Sequence, residues 1–218
     1  MFTTTQEVST ESLSFPNLKA AHSVLAYPAF LAGYRTVHEA IEDNFVSAYV
    51  RAFLTIVAKS KVPVSPNPED DINSSMVHLA NSGESIPLDQ LCQDGASKLS
   101  SLVIPILLDR LEQGKDVSSL TFLLAAYGHY LQAGVDDKGQ EYTVVEPQLN
   151  QRDWSILTQG DALSLLDVSA FASAQLRSFP QVVAHYKSYR HQLACYGLLF
   201  SLKQTLCAFW EEEPESHR

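Results

Sequence analysis

The chain has 218 residues, 45% hydrophobic and 18% charged, with a formal net charge of −10. This is the size and balance of one globular domain with a real core, not of a disordered chain. The acidity repels phosphate backbones and no basic stripe offsets it, and no stretch approaches the ~20 apolar residues of a membrane span, so neither nucleic acid nor a membrane is expected as a partner.

In chain order, residues 1–15 are a polar, Ser/Thr-rich lead without the apolar run of a signal peptide. Pro16 opens a helical pattern carried by Leu18, Ala21, Leu25, Phe30 and Leu31, with a kink or break expected at Pro28 and an end at Gly33. A second pattern runs from Val37 to Lys59 and predicts a core face of Phe45, Tyr49, Phe53 and Ile56. Lys61 to Pro68 holds three prolines and reads as a loop. Asp70 or Asp71 is the candidate cap of a helix through Ala80, stopped by Asn81, Ser82 and Gly83. Pro87 to Cys92 is a short helical piece.

Lys98 to Gln113 is helical and very apolar, with Pro105 inside it and Gly114 as its stop. Ser118 or Ser119 starts a helix through Gln132, closed by Gly134. Both are apolar on more than one face and are expected to be central and buried. Val135 to Pro147 is turn-rich, with Asp137-Lys138-Gly139 suited to a tight turn. Asp161 to Leu166 and Ala170 to Phe179 read as short helices, with Ser169 as N-cap of the latter. Pro180 opens a helix to Tyr196, and Gly197 separates it from a last helix ending near Trp210. The fold class is therefore all-α, with a helical domain over 16–212 and an acidic tail over 213–218. Strand signals are poor: Val62-Pro63-Val64 is too short, and Tyr142 to Val145 could pair only locally.

Cys92, Cys195 and Cys207 are few, odd in number and far apart, which argues for a reducing, cytoplasmic setting and for three core thiols. There is no C-x-x-C pair for zinc, no G-x-G-x-x-G or P-loop, no G-x-S-x-G and no H-E-x-x-H. Arg35 and Glu39 stand four apart and are expected to form a surface pair. Tyr27, Tyr34, Tyr127 and Tyr130 lie at helical spacings, which suits core positions better than a ligand stack.

Three stretches carry a resemblance. They are His22-Ser-Val-Leu-Ala-Tyr27 followed by Leu31-Ala-Gly-Tyr-Arg-Thr-Val-His-Glu-Ala40; Leu91-Cys-Gln-Asp-Gly-Ala-Ser-Lys-Leu99 running into Pro105 and Arg110; and Leu123-Leu-Ala-Ala-Tyr-Gly-His-Tyr-Leu131 followed by Gly134-Val-Asp-Asp-Lys-Gly139. In order and spacing they resemble the C-terminal domain of the mannitol dehydrogenase family, the long-chain polyol and sugar-acid dehydrogenases. The resemblance covers about residues 10 to 190. It implies the all-helical fold of the 6-phosphogluconate dehydrogenase C-terminal type. It also implies that the Rossmann-type NAD(P) domain, which precedes the helical half in the family, is not part of this chain.

The family's catalytic segment resembles Lys-x-x-x-x-Asn-x-x-His, with the Lys as general base and the Asn and His positioning the substrate and polarising the reacting oxygen. Here His22 matches the histidine, Lys19 stands in place of the Asn, and Ser14 in place of the base. A serine hydroxyl cannot substitute for an amine tuned toward neutral pKa. Lys98 matches a substrate-side lysine, with Asp94 beside it, and Gln90 stands where the family has an Arg. His22 and Lys19 are thus the candidate catalytic residues, and Lys98 and Asp94 the candidate substrate-binding ones. Each has a plainer structural reading: Lys19 as a surface lysine, Lys98 as the cap of a loop, and Asp94-Gly95 as the turn that sets the next helix.

Two readings follow. In one, the domain is catalytically degenerate and acts by binding a small polyol or sugar acid, a protein partner, or a second copy through the former interdomain face. In the other, it is the substrate-domain component of an NAD(P)-dependent oxidoreductase whose nucleotide domain comes from a separate Rossmann chain. The chain itself is expected to hold no cofactor and no metal.

Overall fold

The computed structural model describes residues 15–60, 67–82 and 86–212. The lead through Ser14, most of the Lys61–Pro68 loop with Val62-Pro63-Val64, Gly83 and the acidic tail fall outside the described residues. Those described form ten α-helices and three short 3-10 turns with no strand, so the expected all-α class holds. The fold begins with α1, Phe15–Leu31, and α2, Val37–Glu42. α1 continues through Pro28 as one helix, so of the kink or break expected there no break occurs. Pro28 takes one N–H donor out of the helix, while its carbonyl still accepts from Ala32 N at 3.1 Å.

The pattern read as one helix from Val37 to Lys59 is two. After α2 the chain turns at Asp43 and resumes as α3, Asn44–Ala58. Asp43 is extended, and its carboxylate accepts from the amides of Phe45 and Val46, so it caps α3 while its own N–H closes α2. An aspartate N-cap that satisfies two otherwise orphaned donors outweighs the propensity to continue one helix. The break also changes one core assignment: Tyr49, Phe53 and Ile56 are buried, but Phe45 in the first turn is 37% exposed.

α4 spans Pro68–Ser82 and starts on its proline, with Asp70 and Asp71 inside the first turn and not at the cap. α5, Leu88–Leu91, and α6, Gly95–Glu112, follow. α7, Ser118–Ala133, is buried almost all round and forms the centre of the fold against α1, α6, α9 and α10. α6 is less central than its composition suggests, since Ser97, Ser101, Pro105 and Glu112 face solvent.

α8, Gln151–Thr158, has no counterpart in the sequence reading. Its start is a capping box: Asn150 accepts from Arg152 N and Asp153 N, and Asp153 reaches back to Asn150 N. Asp153 also takes the N–H and the hydroxyl of Ser169, at 2.8 and 2.7 Å. Ser169 therefore braces α8 and caps no helix of its own. The two short helices expected after Asp161 are 3-10 turns at Ser164–Asp167, Ala172–Ala174 and Leu176–Ser178. Gln175 sits at φ 47°, a left-handed conformation that interrupts any continuous helix there.

α9, Pro180–Tyr196, and α10, Leu198–Glu212, complete the fold as expected, with Gly197 at φ 79° between them. Cys92 is buried, but Cys195 and Cys207 are exposed and not core thiols. No described helix is long and apolar enough to cross a membrane.

Two polar assemblies fix the helices around the future site. The buried Glu146 carboxylate accepts from Ala96 N in the first turn of α6 (3.1 Å) and from Tyr127 Oη of α7 (2.8 Å). It thus ties the 134–147 segment to two helices and sits at the positive end of α6. Replacing Glu146 by Ala leaves two buried donors without a partner, and the expected cost is about 2 kcal/mol. Urea denaturation of the variant measures this, and Glu146→Gln, which keeps one acceptor, is expected to lose less. The second assembly is the turn over Asp136–Gly139. Asp137 N donates to Leu31 O, its carboxylate accepts from Leu198 N, and Lys138 Nζ donates to Gly33 O. The turn thereby joins the end of α1 to the start of α10.

Candidate functional site

The geometry begins on α1. Lys19 and His22 are three residues apart, so they share a helix face. Lys19 is exposed and its carbonyl accepts the Ser23 hydroxyl. His22 is half-buried, and its Nε2 is wholly buried without a hydrogen-bond partner among the described residues. Burial holds the His22 pKa below the ordinary 6.5, and His78 of α4 and Lys98 of α6 lower it further. The imidazole is therefore neutral at pH 7 and offers one donor and one acceptor. His78, which the sequence reading did not single out, reaches this face because α4 packs on α1.

Lys98 stands one turn into α6. Its ammonium donates to Leu91 O at 3.0 Å and to Gln93 O at 2.6 Å. Two of its three donors are thus spent on the end of α5, which is the loop-capping role, while its charge still faces His22. Asp94 adopts φ 58°, ψ 32° and makes no side-chain cap bond. Its carbonyl accepts from Lys98 N at 3.1 Å, so it acts through the backbone in setting α6. Gln90 is exposed on α5. The structure therefore brings His22 and Lys98 together, keeps Lys19 one turn away at the surface, and leaves Asp94 as a turn residue behind Lys98. Ser14 lies outside the described residues.

The close approach of α1 to α6 depends on Gly95. Tyr27 of α1 reaches across and donates to Cys92 O at 3.0 Å, directly over the start of α6. Burial pushes the Tyr27 and Tyr127 hydroxyls up, so both stay protonated donors. Tyr27, Tyr127 and Tyr130 are core, as their spacing implied, whereas Tyr34 is part-exposed and donates to Asp43 Oδ2 at 2.9 Å.

Arg35 corrects another expectation. Glu39 caps α2 by accepting from the amides of Arg35 and Thr36 and makes no side-chain pair with Arg35. The Arg35 guanidinium turns to Asp136, to Gln140 Oε1 and to the carbonyls of Phe30 and Tyr34. The buried, hydrogen-bonded Asp136 carboxylate is the better partner because the surface alternative is screened by water. Among the described residues no group of three or more His, Cys, Asp or Glu side chains could hold a metal.

An all-helical domain built around a buried central helix, with a neutral histidine on α1 within electrostatic reach of a lysine on α6, is the class that this geometry defines. The sequence profile of the mannitol dehydrogenase C-terminal domain matches residues 15–194, and the chain belongs to that family. It is 26% identical over 188 residues to mannitol 2-dehydrogenase of Neosartorya fischeri, a match covering 85% of this chain and 37% of that protein. It is 27% identical over 163 residues to the polyol:NADP oxidoreductase of Gluconobacter oxydans, covering 74% and 33%. Among solved structures it superposes on Pseudomonas fluorescens mannitol 2-dehydrogenase, a ternary complex with NAD and D-mannitol, with a TM-score of 0.78 and 25% identity, over 89% of this chain and 41% of that one. The chain thus spans about two-fifths or less of the length of the relatives it matches. α10 begins beyond the matched residues.

Proposed function

We propose that this domain binds a small polyol or sugar acid at the His22–Lys98 face and does not itself catalyse the dehydrogenase reaction. The observation that carries this reading is the buried His22 Nε2 without a partner among the described residues, since such atoms in native structures are ordinarily satisfied and a ligand hydroxyl is a fitting partner. Lys98 supplies positive charge from α6, and its remaining donor suits a hydroxyl or carboxylate oxygen. What argues against catalysis is the acid–base inventory. By resemblance the base position is Ser14, and Lys19, the one nearby amine on α1, stands exposed at the surface one turn from His22.

Calorimetric titration of the purified chain with D-mannitol and with a hexuronate tests the reading. Saturable binding of one of them is expected, in the millimolar range typical of small polar ligands, roughly −4 kcal/mol. His22→Ala is expected to weaken it about tenfold. Because the folded pKa of His22 lies below 6.5, binding should stay level as pH falls from 8 to 6.5 and decline only lower, when the ring takes a proton and loses its acceptor. Steady turnover of D-mannitol with NAD by the isolated chain would sink the proposal.

A second reading is favoured by the comparisons. The matched relatives are longer dehydrogenases, and one solved relative holds NAD and D-mannitol. On that reading the domain is the substrate-side component of an NAD(P)-dependent oxidoreductase, with a Rossmann chain supplying the cofactor and Lys19 as a displaced base. Loss of activity in Lys19→Met, measured in a reconstituted complex, would support it.

A further inference from the structure

A cavity of about 420 Å³ lies at the other end of α1. Phe30 on its wall is eight residues beyond His22, roughly 12 Å along the helix axis, so the cavity lies away from His22, although its rim residue Gln93 carries the carbonyl that accepts from Lys98 Nζ. It is formed where the bridge between Thr36 and Pro87 brings the start of α2 beside α5, under the 134–147 segment. Its volume is in the usual range for small-molecule sites, roughly 300–1,000 Å³.

One wall is aromatic. Tyr130 and Tyr142 stack in parallel, with centroids 5.1 Å apart and planes within 2°, and Phe30 meets both edge-on at 5.7 and 5.2 Å. Tyr142 is pinned by its hydroxyl, which donates to Tyr130 O at 2.8 Å, so the wall is held before any ligand arrives. The rim is polar: Arg35, Asp89, Gln93 and Thr143 line it. Gln93 and Asp89 are exposed and four apart, and among the described residues the Gln93 side chain has no hydrogen bond to give up.

The charges decide the ligand class. Arg35 is already paired with Asp136, and Asp89 adds a negative charge on the rim, so an anion gains little. A cation meets Arg35. An apolar ligand would strand the rim amide and carboxylate without water. What remains is a neutral ligand with an apolar face and a hydroxyl-bearing edge. Aromatic side chains pack against C–H faces, while carboxylate, amide and guanidinium groups bond hydroxyl pairs.

We propose that this cavity is a binding site for a neutral pyranose ring, which lies against Tyr142 and is held at its edge by Gln93 and Asp89. The site does not involve His22, and it borders the Lys98 side of the other face through Gln93.

The test uses the whole chain and three probes: the methyl pyranosides of glucose, mannose and galactose, each titrated to about 50 mM and read by saturation-transfer NMR and calorimetry. Saturable binding of at least one is expected, weakened about tenfold in Gln93→Ala and abolished in Tyr142→Leu, with His22→Ala unchanged. Gln93→Ala removes an exposed side chain and keeps the fold, so it decides the matter even if Tyr142→Leu is unstable. The proposal is overturned if none of the three pyranosides binds saturably. It is also overturned if binding is insensitive to Gln93→Ala, if it is lost in His22→Ala, or if benzoate or benzamidine binds more tightly than every pyranoside.

Discussion

Gly95→Ala is expected to destabilise the fold by more than about 3 kcal/mol, at the upper end of what overpacking costs. A methyl group on Gly95 would fall inside the Tyr27 hydroxyl and come within 2.8 Å of Tyr27 Cζ and 2.6 Å of Tyr127 Cε2. Neither ring can yield. Tyr27 and Tyr127 are fully buried, their centroids are 4.9 Å apart, and their hydroxyls are bonded to Cys92 O and Glu146. The methyl would therefore push α6 away from α1 and separate Lys98 from His22. Urea denaturation of Gly95→Ala beside Gly114→Ala measures the effect. Gly114 has φ +64° and open space around its would-be Cβ, so its variant carries only the backbone cost of about 1 kcal/mol. Equal losses in the two variants would mean that α1 and α6 are not in the contact described.

The second large effect is acid destabilisation through His129. This histidine is mostly buried on α7, and burial, followed by repulsion from Arg190, lowers its pKa from 6.5 to about 4. The unfolded chain binds a proton at that site near pH 6.5 and the folded chain only near pH 4. Stability is therefore complete above pH 6.5 and lost as pH falls through the window between the two values. The full shift corresponds to about 3 kcal/mol. His22, also depressed by burial, contributes in the same direction. The carboxylates of Asp136, Asp153 and Asp161 lie below their usual 3.8 and act only at more acid pH. Unfolding free energies at pH 7 and 4.5 should thus differ in the parent chain, and the difference should shrink in His129→Gln. An undiminished slope in that variant would place the acid sensitivity elsewhere.

The long helices were legible because local signals agreed with burial. Pro180 and Gly197 bracket α9, Gly134 closes α7, and unbroken apolar periodicity marks α7 as central. What was misread depended on single side chains choosing backbone partners. Asp43 splits one periodic run in two. Asn150 and Asp153 start α8 in a stretch too short to show a period. Gln175 turns left-handed where Ala and Leu suggest a helix. The site was legible only through resemblance. His22 and Lys98 are scattered residues in composition terms, and His78 joins them through helix packing that no local pattern announces. The aromatic cavity could not be read at all, since Phe30, Gln93 and Tyr142 lie far apart in the chain and are brought together only by the packing of α1, α5 and the 134–147 segment.

The turn over Asp136–Gly139 bears on how the chain folds. Its bonds to Leu31 and Gly33 span about a hundred residues, and its bond to Leu198 spans about sixty. Contacts of such sequence separation require large loops to close, at an entropic cost that local contacts do not carry. The turn is thus a clasp between distant parts of the chain. Helical domains built from local contacts are usually rapid folders, and such long-range closures are expected to slow this one.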